Sequence, residues 1–194
     1  MASVEETIYE IWMTHNRAWS PRELVCFAIL FLLAAAVLST LVLAKKITVS
    51  QEIATLLAVV FLGIVFASTV FTRTPTEERK YCLELFWSWK KAFGAHSQVA
   101  LKEILLNSIL LAPLGFLLPF IFKKHIKIRQ ALLCGFLVSA SIECCQLVMR
   151  RGLFEWDDMI HNAFGCMLGC VIANLFRQSH IFLSTMFAAT DRRA

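Results

Sequence analysis

Four polar residues, Ser139, Glu143, Gln146 and Arg150, stand 4, 3 and 4 apart inside a run that is otherwise apolar enough for lipid. At about 3.6 residues per turn, that spacing sets them in one narrow stripe of a helix. Asp158, Asn162, Gly165 and Gly169 repeat the 4, 3, 4 pattern in the next apolar run. If the turn around Gly152 makes the two helices antiparallel neighbours, the stripes face each other near one end of the pair. Such a cluster offers carboxylates for proton transfer or charge pairing, amides for directional hydrogen bonds and arginine for an anion. An ionised carboxylate within a span is costly unless paired or wetted, so Glu143 needs a reason to be there. An ion pair with Arg73 or Arg150, a retained proton or a substrate would each supply one. Asp157 and Asp158 are less demanding, because acids at a helix start are favoured by the dipole and by capping alone.

The elements that must position these residues follow from composition. The chain has 194 residues, 58% hydrophobic and 17% charged, with a mean hydropathy of +0.67, which marks a membrane protein. Runs of the length needed to span a bilayer occur at Leu24 to Leu43, Ile53 to Phe71, Ile104 to Phe122, Ala131 to Met149 and Met159 to Phe176. The expected fold is an all-α bundle of about five transmembrane helices in a single domain over residues 23 to 177. An N-terminal interfacial segment, 1 to 22, and a C-terminal tail, 178 to 194, flank it. The first run follows a polar lead-in without a small-residue cleavage site, so it is expected to be retained rather than removed as a signal peptide.

Between the second and third runs, Leu83, Phe86, Trp87, Lys90 and Lys91 at spacings of 3, 4, 7 and 8 suggest an amphipathic interfacial helix, and a lid over the bundle or a plain interfacial loop both fit. Pro113 and Gly115 in the third run imply a bend, and Gly165 with Gly169 forms a small-xxx-small pair suited to close helix contact. The seven cysteines form no framework, and Cys166 and Cys170 lack a partner at metal-ligand spacing, so they read as small core residues. No metal or cofactor is expected. Nothing beyond a formal charge of +5 points to nucleic acid, and that charge suits anionic lipid headgroups.

Alternating the spans delivers Arg73, Asn107, Glu143, Gln146, Arg150, Asp157, Asp158 and Asn162 to one membrane face. Lys and Arg divide 10 against 9 between the two faces, which leaves orientation nearly tied. The tight basic turn Lys123 to Arg129 favours that side as the cytoplasmic one and the polar cluster as outward-facing.

With those residues in hand, the chain resembles the VanZ-like family of small bacterial membrane proteins. The resemblance rests on Arg73 after the second span, Asn107 followed by Pro113-Leu114-Gly115, then Ser141, Glu143, Gln146, Arg150 or Arg151, Asp157-Asp158, Asn162, Gly165 and Gly169, in order over roughly residues 65 to 175. Ser139 and Ser141 both match the family's serine. Glu84-Leu85-Phe86-Trp87 departs from the asparagine-leucine then proline-phenylalanine of many members. The resemblance implies a multi-pass protein of the bacterial cytoplasmic membrane whose namesake lowers susceptibility to teicoplanin. The leading expectation is a polar intramembrane pocket for an amphiphile, either a lipid-linked wall precursor or a lipoglycopeptide. The alternatives are a membrane-embedded enzyme acting on an isoprenoid or phospholipid headgroup through Glu143 and Asp157 or Asp158, and an assembly subunit without a ligand.

Overall fold

The computed structural model describes residues 20 to 191, with side chains through residue 179. The proposed interfacial segment at the N-terminus therefore lies almost wholly outside the described residues. Five helical spans are long and apolar enough to cross a membrane. Each begins earlier than its apolar run, because the polar residues ahead of the run form the cap and the first turn. Helix α1, Pro21–Leu43, starts at Ser20 in a reciprocal capping box with Glu23 and carries proline at its first position. Helix α2, Val49–Phe66, starts at Thr48 opposite Gln51 and runs on as a wider π turn, Ala67–Phe71.

The third span is two helices, α4 (Gln98–Leu110) and α5 (Ala112–Ile121), broken at Leu111. Pro113 falls in the first turn of α5, where its missing N–H forfeits no helical bond. The fourth span is α6, Ile128–Met149, and the fifth is α7, Trp156–Asp191. Starting α7 at Trp156 puts Asp157 and Asp158 inside its first turn. Its backbone continues past residue 178, so no helix end falls at the expected start of a tail.

Helix α7 is the axis of the bundle. It packs against α4, α5 and α6, while α2 lies against α5 and α1 against α2. Of the most apolar window of each span, 56% is buried in α7 and 0% in α1, which leaves α1 at the rim. Close approach at the axis depends on missing side chains. A Cβ at Gly115 would sit 1.8 Å from the Cys166 carbonyl oxygen. At Gly169 it would lie 1.9 Å from that of Ala112, and at Gly165 2.4 Å from that of Ser108. Backbone therefore meets backbone where α7 crosses the third span. Cys166 and Cys170 are buried free thiols in the same core as Val65, Val70 and Leu111.

Two features of the polar end are not expected from spacing. A two-stranded parallel ladder pairs β1, Lys80–Cys82, with β2, Leu153–Glu155, so that Lys80 faces Leu153 and Cys82 faces Glu155. The amphipathic helix expected from Leu83 to Lys91 begins only at Trp87: α3 is Trp87–Trp89 and continues as a π turn, Lys90–Gly94. Leu83 and Phe86 lie outside it. Phe86 is left-handed at φ 60°, a conformation that stops a helix from extending backward.

Candidate functional site

The polar end of the bundle is assembled from side chains that α6 and α7 carry at helical spacing. On α6, Ser139, Glu143 and Gln146 are all buried. The stripe ends there, because α6 stops at Met149 and Arg150 is a left-handed cap residue, φ 57°. The Arg150 guanidinium donates to the Glu77 carbonyl at 3.2 Å, and its own carbonyl accepts from the Thr76 N–H and hydroxyl. Arg150 thus holds the loop after α2 and does not join the buried cluster. Arg151, which the spacing argument did not single out, donates to the carbonyls of Val70 and Phe71 at the end of the π turn.

Glu143 accepts one bond, 3.0 Å from the Glu155 N–H of β2. Asp158 accepts from the Asn107 amide of α4 at 2.5 Å. The Asn162 amide donates 2.8 Å to the Ser139 hydroxyl, which leans toward the Asp158 carbonyl at 3.5 Å. Gln146 donates to the Thr69 carbonyl in the π turn at 3.1 Å. Three spans and the end of a fourth are thereby stitched together around two carboxylates.

Neither Glu143 nor Asp158 is in an ion pair among the described residues; the one such pair, Lys90 with Glu84, is exposed. Arg73 acts on both acids electrostatically and stands at the exposed rim. Its guanidinium is 2.9 Å from where a Cβ on Gly152 would be, with the Gln146 amide oxygen equally close. Gly152 has φ +141°, so glycine there permits both the turn and the approach of Arg73.

Asp157, expected alongside Asp158, points a different way. Its carboxylate accepts the Phe86 N–H at 2.6 Å, the Ser88 N–H at 2.9 Å and the Ser88 hydroxyl at 2.6 Å. The Glu84-Leu85-Phe86-Trp87 segment thus folds its backbone onto an acid of α7. Two further anchors flank it: the Trp87 indole donates 2.6 Å to Glu155, and the Trp89 indole donates 2.8 Å to His161 Nε2. Residues 86 to 94 form a roof over the start of α7, with Ala92 buried against Ala100 and Ile104. The roof and the residues just before it leave Leu83, Leu85, Phe86 and Phe93 exposed, as an interfacial segment requires. Glu155, beside the roof and outside the spans, has its carboxyl pushed above the ordinary carboxylate range. Burial is the main cause, the Trp87 N–H opposes it, and Glu103 and Asp157 add to it.

His161 was not among the residues that spacing picked out, although it stands four after Asp157 on the same helical face. Because Nε2 accepts from Trp89, the neutral ring carries its proton on Nδ1. That buried Nδ1 and the buried Asn162 Oδ1 have no hydrogen-bond partner. Of the remaining expected residues, Gly115, Gly165 and Gly169 lie at the crossing of α7 with the third span, and Pro113 is exposed in the first turn of α5. Among the described residues, no three His, Cys, Asp or Glu side chains converge as a metal-ligand set.

The fold and this site define a class: a multi-pass membrane protein whose last two spans and longest loop enclose a buried polar cluster. The family model described as VanZ/LLP1 matches residues 31–177. The chain belongs to that family. No curated protein and no solved structure matches it.

Proposed function

We propose that this VanZ-like protein resides in the bacterial cytoplasmic membrane and contributes to glycopeptide resistance of the teicoplanin type. It would do so by binding an amphiphile, either a lipid-linked wall precursor or the lipoglycopeptide itself, at the polar end of the bundle. The observation that carries the reading is the pair Glu143 and Asp158. Both sit inside spans without an ion pair, and each accepts a single hydrogen bond from a side chain or backbone group. Carboxylates have room for about four acceptor interactions each, so the cluster keeps unspent acceptor capacity beside the free Asn162 Oδ1. A headgroup rich in hydroxyl, amide or amine donors matches that capacity, and Arg73 at the rim suits a phosphate at the membrane surface. Arg150, turned into the Glu77 loop, has no part in this reading. The roof of residues 86 to 94, docked on the start of α7 next to the cluster, is the segment we assign as the gate.

The test is binding of teicoplanin and of a lipid-linked wall precursor to purified full-length protein, alongside susceptibility of cells expressing each variant. Glu143→Gln and Asp158→Asn keep size and remove charge. Each is expected to weaken binding by roughly tenfold or more, the loss of one charge-assisted hydrogen bond, with membrane levels unchanged. Wild-type affinity in both variants would refute the proposal. Loss of the protein itself would assign the acids to structure instead.

A further inference from the structure

At the end of the bundle opposite the polar cluster, the basic turn between α5 and α6 is held in one shape by side chains from two other spans. The Asn174 amide of α7, buried, donates 2.9 Å to the Ile126 carbonyl and accepts the Ile126 N–H at 3.4 Å. Gln51 of α2 donates 2.9 Å to the Ile121 carbonyl, and Arg177 of α7 donates through one nitrogen to the Pro119 carbonyl at 2.7 Å. Beside these clamps lies an open pocket of about 140 Å³ lined by His125, Asn174, Arg177 and Gln178. Lys123, Lys124 and Lys127 on the turn, and Arg129 in the first turn of α6, neighbour His125 in a stretch that contains no acid. Glu52, the acid at the start of α2, is engaged by the Ser39 hydroxyl.

Arginine has five N–H donors in a planar fork, and Arg177 spends one on Pro119. The remainder of the fork has no partner among the described residues. A half-buried guanidinium with free donors and a neighbouring imidazole, in a stretch that also carries four cations, is the chemistry that recognises a phosphate. We infer that this pocket binds the phosphate headgroup of an anionic phospholipid in the leaflet on that side, with Arg177 and His125 gripping the phosphate and the lysines supplying attraction. This site is separate from the Glu143 cluster and does not depend on the reading of it.

The experiment uses the full chain, purified and stripped of lipid, with retained phosphatidylglycerol or phosphatidylcholine counted by native mass spectrometry. One phosphatidylglycerol is expected to bind in preference to phosphatidylcholine. Arg177→Gln is expected to weaken it by roughly tenfold, as for loss of a charge-assisted bond. His125→Gln, on the exposed turn, tests the pocket without touching a clamp should Arg177→Gln fold poorly, and should weaken binding measurably. The double variant Lys45→Gln/Lys46→Gln removes two charges from the same face outside the pocket and should leave affinity within about twofold, as expected of screened surface charges. Equal losses from the lysine pair and from the pocket variants would overturn the inference in favour of nonspecific attraction. Inorganic phosphate displacing the lipid at equal concentration would overturn it in favour of a soluble anion.

Discussion

Replacing Asp157 by alanine removes the acceptor on which the roof is hung, and the consequence can be worked out from the three bonds it receives. The Phe86 N–H at 2.6 Å, the Ser88 N–H at 2.9 Å and the Ser88 hydroxyl at 2.6 Å all end on one carboxylate. Hydrogen bonds to a charged partner contribute about 1.5 to 3 kcal/mol each and are not additive around one acceptor. A docking loss of about 3 to 4 kcal/mol is therefore the reasonable sum. Left-handed Phe86 adds to it, since that conformation costs about 1 kcal/mol and is maintained only by what surrounds it. The anchors from Trp87 to Glu155 and from Trp89 to His161 survive, so the roof loosens without the helices separating. A change of about 3 kcal/mol corresponds to roughly a hundredfold rise in the open population. Amide hydrogen exchange of the full protein in detergent reads this directly: peptides covering residues 83 to 97 should exchange on the order of a hundredfold faster, and those in α6 should not change. Asp157→Asn, which keeps one acceptor and sets an amide N–H against the donors, should fall between. Roof exchange within about threefold of wild type in Asp157→Ala would show that the three bonds do not hold this segment, and the gate would have to be sought elsewhere.

Two other perturbations test the frame around the site. Gly115→Ala places a methyl 1.8 Å from the Cys166 carbonyl oxygen, so α5 and α7 must part. A destabilisation of about 1 to 3 kcal/mol or more in thermal or denaturant unfolding is expected, whereas Gly94→Ala, with nothing within 4 Å, should be nearly silent, and equal stabilities would refute backbone contact at the crossing. Burial raises the Glu155 carboxyl, so the docked roof holds that proton more tightly than the undocked one. The stability this group contributes is fully present below the ordinary carboxylate range and is lost as pH rises through the raised value. Exchange of the roof, corrected for intrinsic chemistry, should therefore show a loosening on alkalinisation that Glu155→Gln flattens while retaining an acceptor for Trp87. Parallel pH profiles for the two proteins would count against it.

What could be read from spacing, and what could not, divides along physical lines. Helical periodicity puts Ser139, Glu143 and Gln146 on one face, and all three are buried on that face. Arg150 continues the arithmetic but not the helix, because periodicity is silent about where a helix stops, and a left-handed residue turns the next side chain elsewhere. The ladder of β1 with β2 joins Lys80 to Leu153 across the whole third and fourth spans. Each strand has three residues, too few for any alternation to register. His161 was missed for a related reason: its partner, Trp89, lies on a loop, and no regular spacing links a loop to a helix face.

The two aspartates show how the parts connect. Asp158 and Asn162 face α4 and α6, while Asp157 and His161, one residue earlier in each case, face the roof. Successive residues on a helix point about 100° apart, so the same two turns of α7 carry the cluster on one side and its cover on the other. A headgroup bound at Asp158 and Asn162, as proposed, would act on a helix start that is also the roof's anchor. On the proposed function, opening and binding would be coupled through α7 itself. Asp157 and His161 would enter that proposal because they hold the roof, although neither faces the two unpaired carboxylates.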